Sequence, residues 1–330
     1  MTILLFVASF VLIVVAAELF TNAVEWLGFR LRLARGATGS LLAAIGTSLP
    51  ETMVPVVALV SRSPSADSVA QGSVLGAPFL LMTVATGVTG IAVALRRDAR
   101  TLVSEPLQVR RDLGMFIAAF SVIMLAIVLP GPARIALGIA VLLGYCGFVV
   151  ATLRSGEPNE ELPEPLHIVR WREGEPHTVL ITVQLVVAVL LLIFGSTLFV
   201  DALNRTADDF HLPPLILALV AVPLATELPE TLNSVLWVRS RDDHLAFGNV
   251  AGSTVFQACV LGFLGLVFTS WHPGTGGVIS GVLTLATAVA LLTVMRNGKA
   301  PGLVLAATLI PWIGYAVAQI VTGGHLGGTT

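Results

Sequence analysis

The stretch GTSLPET, residues 46–52, occurs a second time as ATELPET, residues 225–231. The same offset of 179 residues places ELFTNAV, residues 18–24, over TLFVDAL, residues 197–203, so one gapless alignment joins both pairs of segments. A repeat of this kind indicates two related structural units in one chain.

The chain that carries this repeat is strongly apolar. Of its 330 residues, 55% are hydrophobic and 12% are charged, about half the charged share of an ordinary soluble protein, which excludes a water-soluble domain. Apolar runs of roughly the length that spans a bilayer cover residues 2–27, 38–61, 67–95, 112–129, 133–153, 178–203, 213–238, 245–270, 277–295 and 302–321. Because lipid cannot satisfy an unpaired backbone, the sequence predicts an all-α integral membrane protein with ten transmembrane helices.

Five predicted helices separate equivalent points of the repeat, so the two halves enter the membrane from opposite sides. Inverted repeats are typical of secondary transporters, which bind their ions near the membrane midplane on interrupted helices. We therefore predict two inverted five-helix repeats, residues 1–153 and 177–330, joined by a solvated acidic cytoplasmic linker, residues 154–176. Fifteen lysines and arginines lie in loops on the linker side and three on the other. This bias predicts a multi-pass cell membrane protein with both termini outside the cytoplasm.

Three acidic residues, Glu51, Glu227 and Glu230, are predicted to lie in the middle of the second and seventh helices. A charge at the centre of a spanning helix costs about 2.5 to 3.5 kcal/mol on insertion scales. No lysine or arginine lies in the middle of any predicted helix to neutralise these acids. A bound cation or a proton is therefore the expected partner.

Prolines interrupt the same two helices. Pro50 is predicted to free the carbonyl of Gly46, and Pro229 that of Ala225, because proline breaks the hydrogen bond to the residue four positions earlier. Carbonyl and carboxylate oxygens are the ligands that hard cations prefer. Glu18 and Asp201, in the first and sixth predicted helices, are open to two roles, a gate contact or a hydrogen-bonded structural contact.

At these residues the chain resembles a known family. GTSLPE at 46–51, ATELPE at 225–230 and GNVAGS at 248–253 are similar to the alpha repeats of sodium/calcium exchangers in the cation/calcium antiporter superfamily. The resemblance implies a ten-helix fold in which helices two, three, seven and eight surround the ion sites while helices one and six slide across them. It also implies a calcium-type site at Glu51 and Glu230 with Thr47 and Thr226, and a role in sodium or calcium binding for Ser253 and Gln257.

The chain departs from the family pattern on its third and eighth predicted helices. GSVLGAPFLL from Gly72 lies over GNVAGSTVFQ from Gly248. This alignment pairs Ser73 with Asn249, Ala77 with Ser253 and Leu81 with Gln257. The family typically has an oxygen-bearing side chain at the last two positions, so the first half has lost ligands. In the second half, Glu227 stands where the family usually has serine, and Gln257 is neutral where an acid or asparagine is common.

We expect a secondary active antiporter that moves a divalent cation, calcium first, in exchange for protons or sodium by alternating access. Neighbouring Glu227 and Glu230 favour a proton, because burial and like charge favour a protonated carboxyl. Ser48, Ser73, Ser253 and Gln257 keep sodium open. The alternatives are a cation channel and a sodium-coupled exchanger of another cation.

An enzyme is not expected, since the single lysine, Lys299, lies in a loop and no His-Glu-x-x-His motif occurs. The expected partners are inorganic cations and the lipid bilayer, with no cofactor, no nucleic acid and no protein partner inferable. The predicted cation-binding residues are Gly46, Thr47, Ser48, Glu51, Ala225, Thr226, Glu227, Glu230, Ser253 and Gln257. The candidates for a gate or a secondary site are Glu18, Asp201, Ser73 and Asn249.

Overall fold

The computed structural model describes residues 2–30, 48–63, 65–154, 163–169, 175–210 and 227–322. Its helices and strands are, in chain order, α1 (Thr2–Arg30), α2 (Leu49–Val60), α3 (Ala66–Leu80), α4 (Thr86–Ala94), β1 (Thr101–Val103), α5 (Pro106–Leu125), α6 (Gly131–Arg154), α7 (Thr178–Phe210), α8 (Leu228–Ser240), α9 (Asp243–Phe256), α10 (Gly262–Phe268), α11 (Gly274–Val294), β2 (Lys299–Pro301), α12 (Gly302–Ala306) and α13 (Leu309–Val321). Short 3₁₀ turns cover Ala126–Val128 and His167–Val169.

The described residues contain eight helical segments that are long and apolar enough to cross a membrane. They are Leu4–Arg30, Ala66–Ala94, Pro106–Val128, Gly131–Thr152, Thr178–Thr206, Asp243–Phe268, Gly274–Val294 and Gly302–Gln319. Each coincides with a predicted apolar run. The two remaining runs, 38–61 and 213–238, are described only in their second halves, as α2 and α8.

One small sheet lies between the helices. β1 pairs with β2 in antiparallel register, with Leu102 opposite Ala300. The prediction of a purely helical protein misses this pairing because three residues per strand are too few to produce a recognisable alternation.

The long segments 66–94 and 243–268 change helix type at matching residues. π-turns at Leu81–Ala85 and Gln257–Leu261 join α3 to α4 and α9 to α10. Both turns begin and end 176 residues apart, the offset that aligns GSVLGAPFLL with GNVAGSTVFQ. π-turns inside α-helices are frequent at functional sites.

Two aspartates in matching positions fasten these segments at their ends. Asp67, in the first turn of α3, accepts a hydrogen bond from the backbone N–H of Ser270 at 3.0 Å. Asp243, in the first turn of α9, accepts one from the N–H of Val103 at 3.0 Å and forms an ion pair with the guanidinium of Arg96. Each helix start is thereby bound just beyond the end of the other segment.

Helices α1 and α7 pack closely against each other. Ile13, Leu192 and Phe199 belong to one buried apolar cluster between them. The rings of Phe6 and Phe199 lie 4.6 Å apart between centroids. Gly195 permits this close approach, because a Cβ there would lie 3.0 Å from Cγ1 of Ile13.

Residues 163–169, the longest described stretch of the linker, are docked on this helix pair. Leu166 is 2% exposed and packs in a cluster with Trp26 and Ile181. The indole N–H of Trp26 donates to the carbonyl of Glu164 at 2.8 Å.

Two buried amides complete the attachment. Asn22 Oδ1 accepts from the N–H of His167 at 3.2 Å and from Nε2 of Gln184 at 2.9 Å. Gln184 Oε1 accepts from the N–H of Ile168 at 3.0 Å. Residues 163–169 thus contact α1 and α7 through their backbone and through Leu166, while Glu164 and Pro165 stay exposed.

Candidate cation site

Three buried carboxylates meet where α2 and α8 begin. Glu51, Glu227 and Glu230 are 1%, 0% and 0% exposed. One carboxylate oxygen from each lies within 4.8 Å of the other two. Calcium binds oxygens at 2.3 to 2.6 Å, so two oxygens on opposite sides of one calcium ion are about 4.6 to 5.2 Å apart. The cluster thus has the dimensions of a site for a single cation of that size.

The sequence predicts these three acids in the middle of helices. In the structure they lie where helices begin. Glu51 and Glu230 occupy the first turns of α2 and α8, and Glu227 is the N-cap residue of α8. Pro50 and Pro229 stand within the first two helical positions, where the missing N–H is not needed. The positive end of each helix dipole also stabilises carboxylates there.

The preceding residues of both motifs, Gly46, Thr47, Ala225 and Thr226, lie outside the described residues. Ser48 is described and is buried as the N-cap of α2. Its carbonyl accepts a hydrogen bond from the hydroxyl of Thr52 at 3.0 Å.

Helix α9 and the first residue of the π-turn that follows it carry three polar side chains on one helix face, each one turn apart. Nε2 of Gln257 donates to Oε1 of Glu227 at 2.7 Å, and Nδ2 of Asn249 donates to the carbonyl of Glu230 at 3.4 Å. Ser253 lies between them in the sequence at spacing four, so it shares their helix face. The structure therefore joins Asn249 and Gln257 to the two acids of α8 and buries Ser253 on the same face.

Several buried oxygens at these positions have no hydrogen-bond donor among the described residues. They are Ser48 Oγ, Ser73 Oγ, Ser253 Oγ, Asn249 Oδ1, Glu227 Oε2 and Gln257 Oε1. Leaving such a group unsatisfied costs roughly 1 to 3 kcal/mol, so a ligand that reached any of these oxygens would be stabilised.

Sequence reasoning missed two hydroxyls on α8. Thr231 donates to the carbonyl of Glu227 at 2.9 Å, and Ser234 donates to the carbonyl of Glu230 at 2.8 Å. Both follow their acid at a spacing of four, which is the signal that identifies them. They bind the backbone of the acidic residues and leave the carboxylates to other partners.

The weaker candidates lie apart from the carboxylate cluster. Glu18 has a side chain 67% exposed, and its Oε1 lies 3.2 Å from Nε2 of His167 in the docked linker. Glu18 thus has a hydrogen-bond partner in residues 163–169. Asp201 is exposed on α7.

Comparison with known proteins shows that the chain is a membrane cation antiporter. The family model described as sodium/calcium exchanger protein matches residues 1–154 and 180–321. The chain belongs to this family, as a divergent member, which confirms the resemblance found in its motifs.

Two relatives cover most of the chain. One is named "Putative antiporter CaxA", from Alkalimonas amylolytica, with 29% identity over 88% of each chain. The other is the inner membrane protein YrbG of Escherichia coli, with 26% identity over 83% of this chain and 84% of the relative.

Solved structures share the fold. The H⁺/Ca²⁺ exchanger CAX superimposes with a TM-score of 0.78 at 14% identity, covering 97% of this chain and 86% of that one. The sodium-calcium exchanger NCX_Mj, soaked with sodium and strontium, gives a TM-score of 0.62 at 18% identity, covering 96% and 99%. The predicted transporter fold is thereby confirmed in its class, and the chain is an antiporter rather than an enzyme.

Proposed function

We propose that this protein exchanges a divalent cation, calcium or an ion of similar size, for protons or sodium across the cell membrane by alternating access. The observation that carries this proposal is the cluster of Glu51, Glu227 and Glu230, buried together with oxygens within reach of one cation. Three carboxylates in a membrane interior need positive charge to be tolerated. A divalent cation supplies more of it per site than a monovalent one.

We further propose the ten-helix arrangement of two inverted five-helix repeats, 1–153 and 177–330, with both termini outside the cytoplasm. The matching π-turns at Leu81–Ala85 and Gln257–Leu261 support it. The matching ties of Asp67 and Asp243 support it as well. Alternating access would then come from sliding of the α1–α7 pair, whose apolar cluster also contains Val54 and Ala58 of α2, past the carboxylate cluster.

The residues of the first half that are equivalent to Ser253 and Gln257 help to decide which counter-ion is exchanged. Ser73 on α3 is followed at a spacing of four by Ala77 and at a spacing of eight by Leu81, the first residue of the π-turn. Both are buried and have no side-chain oxygen. Additional sodium ions would need oxygens at such positions. Protons need none, so this face favours proton exchange, while Ser48, Ser253 and Gln257 leave one sodium site feasible.

The test is uptake of radioactive calcium into proteoliposomes that contain the purified protein. An outward pH gradient without sodium and an outward sodium gradient at equal pH are imposed separately. Calcium uptake that saturates and is accelerated by unlabelled calcium inside the vesicles supports an exchanger. Single-channel conductance without such counterflow would instead support the channel alternative. Uptake that needs sodium and ignores the pH gradient would reject proton exchange.

The sliding step has its own test. Single cysteines along α7 around Asp201 should change their rate of reaction with a polar thiol reagent when calcium is added. The same cysteines in a Glu51→Gln background provide the control, because that variant lacks the ion site. Equal rates at every position with and without calcium would contradict sliding of α7.

A further inference from the structure

The residues at positions 227 and 257 are both departures from the family pattern, and they contact each other. Nε2 of Gln257 donates to Oε1 of Glu227 at 2.7 Å, and both side chains are fully buried. An ionised carboxylate only accepts hydrogen bonds, so the amide nitrogen is the atom that faces Glu227 when this residue is charged and able to bind a cation. The two substitutions are thus joined into one structural unit.

This contact makes the two carboxylate oxygens of Glu227 different from each other. Oε1 is bound to the amide, whose partial positive charge disfavours a cation at the same oxygen. Oε2 receives no hydrogen bond within the part of the chain that the structure describes. Glu227 is therefore prepared to offer one oxygen, rather than two, to an ion held by Glu51 and Glu230.

We propose that Gln257 is a positioning residue that holds Glu227 as a one-oxygen ligand and thereby sets the preference of the site for ion size. The inference rests on the proposed cation site and deepens it. It also differs from the role that the family resemblance implies for position 257, which is direct contact with the ion. Here Gln257 acts through Glu227.

The consequence for selectivity follows from oxygen counting. Small divalent ions such as Mg²⁺ require six oxygens, whereas Ca²⁺ takes six to eight and accepts carboxylates with both oxygens. Releasing Oε1 from Gln257 lets Glu227 bind with both oxygens. The site should then favour larger ions, and the ratio of strontium to manganese affinity should rise about tenfold.

The experiment is a double-mutant cycle with Gln257→Leu, Glu227→Ser and the two combined. Leucine is the residue at the equivalent first-half position, 81, and serine is the residue at position 48. Competition of strontium and manganese against radioactive calcium is measured on purified protein at equilibrium. Gln319→Leu is the matched control, because it removes another buried glutamine, one that donates to Tyr315 at 2.8 Å.

If Gln257 acts through Glu227, Gln257→Leu raises the strontium-to-manganese ratio about tenfold in the wild-type background and leaves it unchanged in the Glu227→Ser background. An equal change in both backgrounds, or a change below twofold in the wild type, overturns the inference. Gln257→Met, which keeps the side-chain length without an N–H donor, serves if the leucine variant does not fold. Failure of the proposed function has a different signature, because Glu51→Gln would then bind calcium as well as the wild type does.

Discussion

Helices α3 and α9 follow the same backbone course but differ in chemistry. Both carry an aspartate in the first turn and both pass into a π-turn, at Leu81 and Gln257. Ala77 and Leu81 on the first copy are apolar, while Ser253 and Gln257 on the second are polar. The two segments share their backbone geometry but differ in the polarity of the side chains at these positions.

The motif helices α2 and α8 repeat this difference. Ser48 is the N-cap of α2, and Glu227 is the N-cap of α8 at the equivalent position. At the three pairs of positions 77/253, 81/257 and 48/227, the second copy has the more polar residue. Cation binding should therefore depend more on the second half, except at Glu51 and Glu230, where the two halves are identical.

The largest effect on calcium transport is expected at Glu51 and Glu230, where the two halves are identical. Glu51→Gln and Glu230→Gln should each reduce calcium uptake in proteoliposomes at least about a hundredfold, because each removes a charge from a buried cluster that a divalent ion balances. Asp98→Asn is the control, since that carboxylate is exposed and pairs with Arg241 at the surface. Uptake near the wild-type rate in either glutamate variant would contradict the assignment.

A smaller effect is expected at the N-cap positions, where the halves differ in charge. Glu227→Ser should weaken calcium binding about tenfold, or about 1.4 kcal/mol, because one of three carboxylates is lost. Ser48→Ala, the matched change in the first half, should weaken it less than threefold. Equal losses from the two variants, measured by calcium titration of the purified protein, would mean that the halves contribute equally.

The hydroxyl position on the long helices should give a still smaller difference. Ser253→Ala is expected to raise the half-saturating calcium concentration about threefold, since it deletes one buried oxygen beside α8. Ala77→Ser adds the missing oxygen to the first half and should change calcium affinity less than twofold while improving sodium-driven exchange. No gain in sodium-driven exchange would indicate that α3 does not face the ion.

The smallest effect on transport is expected from the two aspartate ties, which should differ in stability instead. Asp243→Ala leaves Arg96 without its carboxylate at a site where the two side chains are 11% and 8% exposed. Losing one partner of a buried pair costs about 3 to 5 kcal/mol. Asp67→Ala removes a hydrogen bond to one backbone N–H, worth about 0.5 to 1.5 kcal/mol. The thermal midpoint in detergent should fall further for Asp243→Ala, and the reverse order would contradict this comparison.

Much of the fold could be predicted because membrane spans are set by local composition. Eight predicted runs reappear as spans, and the three acids at the repeated motif, Glu51, Glu227 and Glu230, lie together in the structure. Length and apolarity decide these features, and both can be read over about 20 neighbouring residues.

The features that escaped prediction depend on contacts between distant residues. The π-turns are set by packing, and nothing in the composition of Leu81–Ala85 distinguishes them from an α-helix. The Gln257–Glu227 bond joins side chains 30 residues apart on neighbouring helices. The docking of the linker depends on two buried amides, Gln184, which is 16 residues from Ile168, and Asn22, which is 145 residues from His167.

The paired π-turns also constrain how the chain length can change. A π-turn holds one residue more than an α-turn, so it rotates every later side chain by about 100°. Beyond the second turn, Gly265 is aimed at a crowded spot, where a Cβ would lie 2.8 Å from the Trp271 ring and 2.9 Å from Cγ2 of Val74. Deleting one residue between Gly248 and Gly265 would aim a larger side chain there, whereas exchanging Ser253 leaves the direction unchanged. Among relatives, gaps should therefore be much rarer than substitutions across residues 72–90 and 248–265.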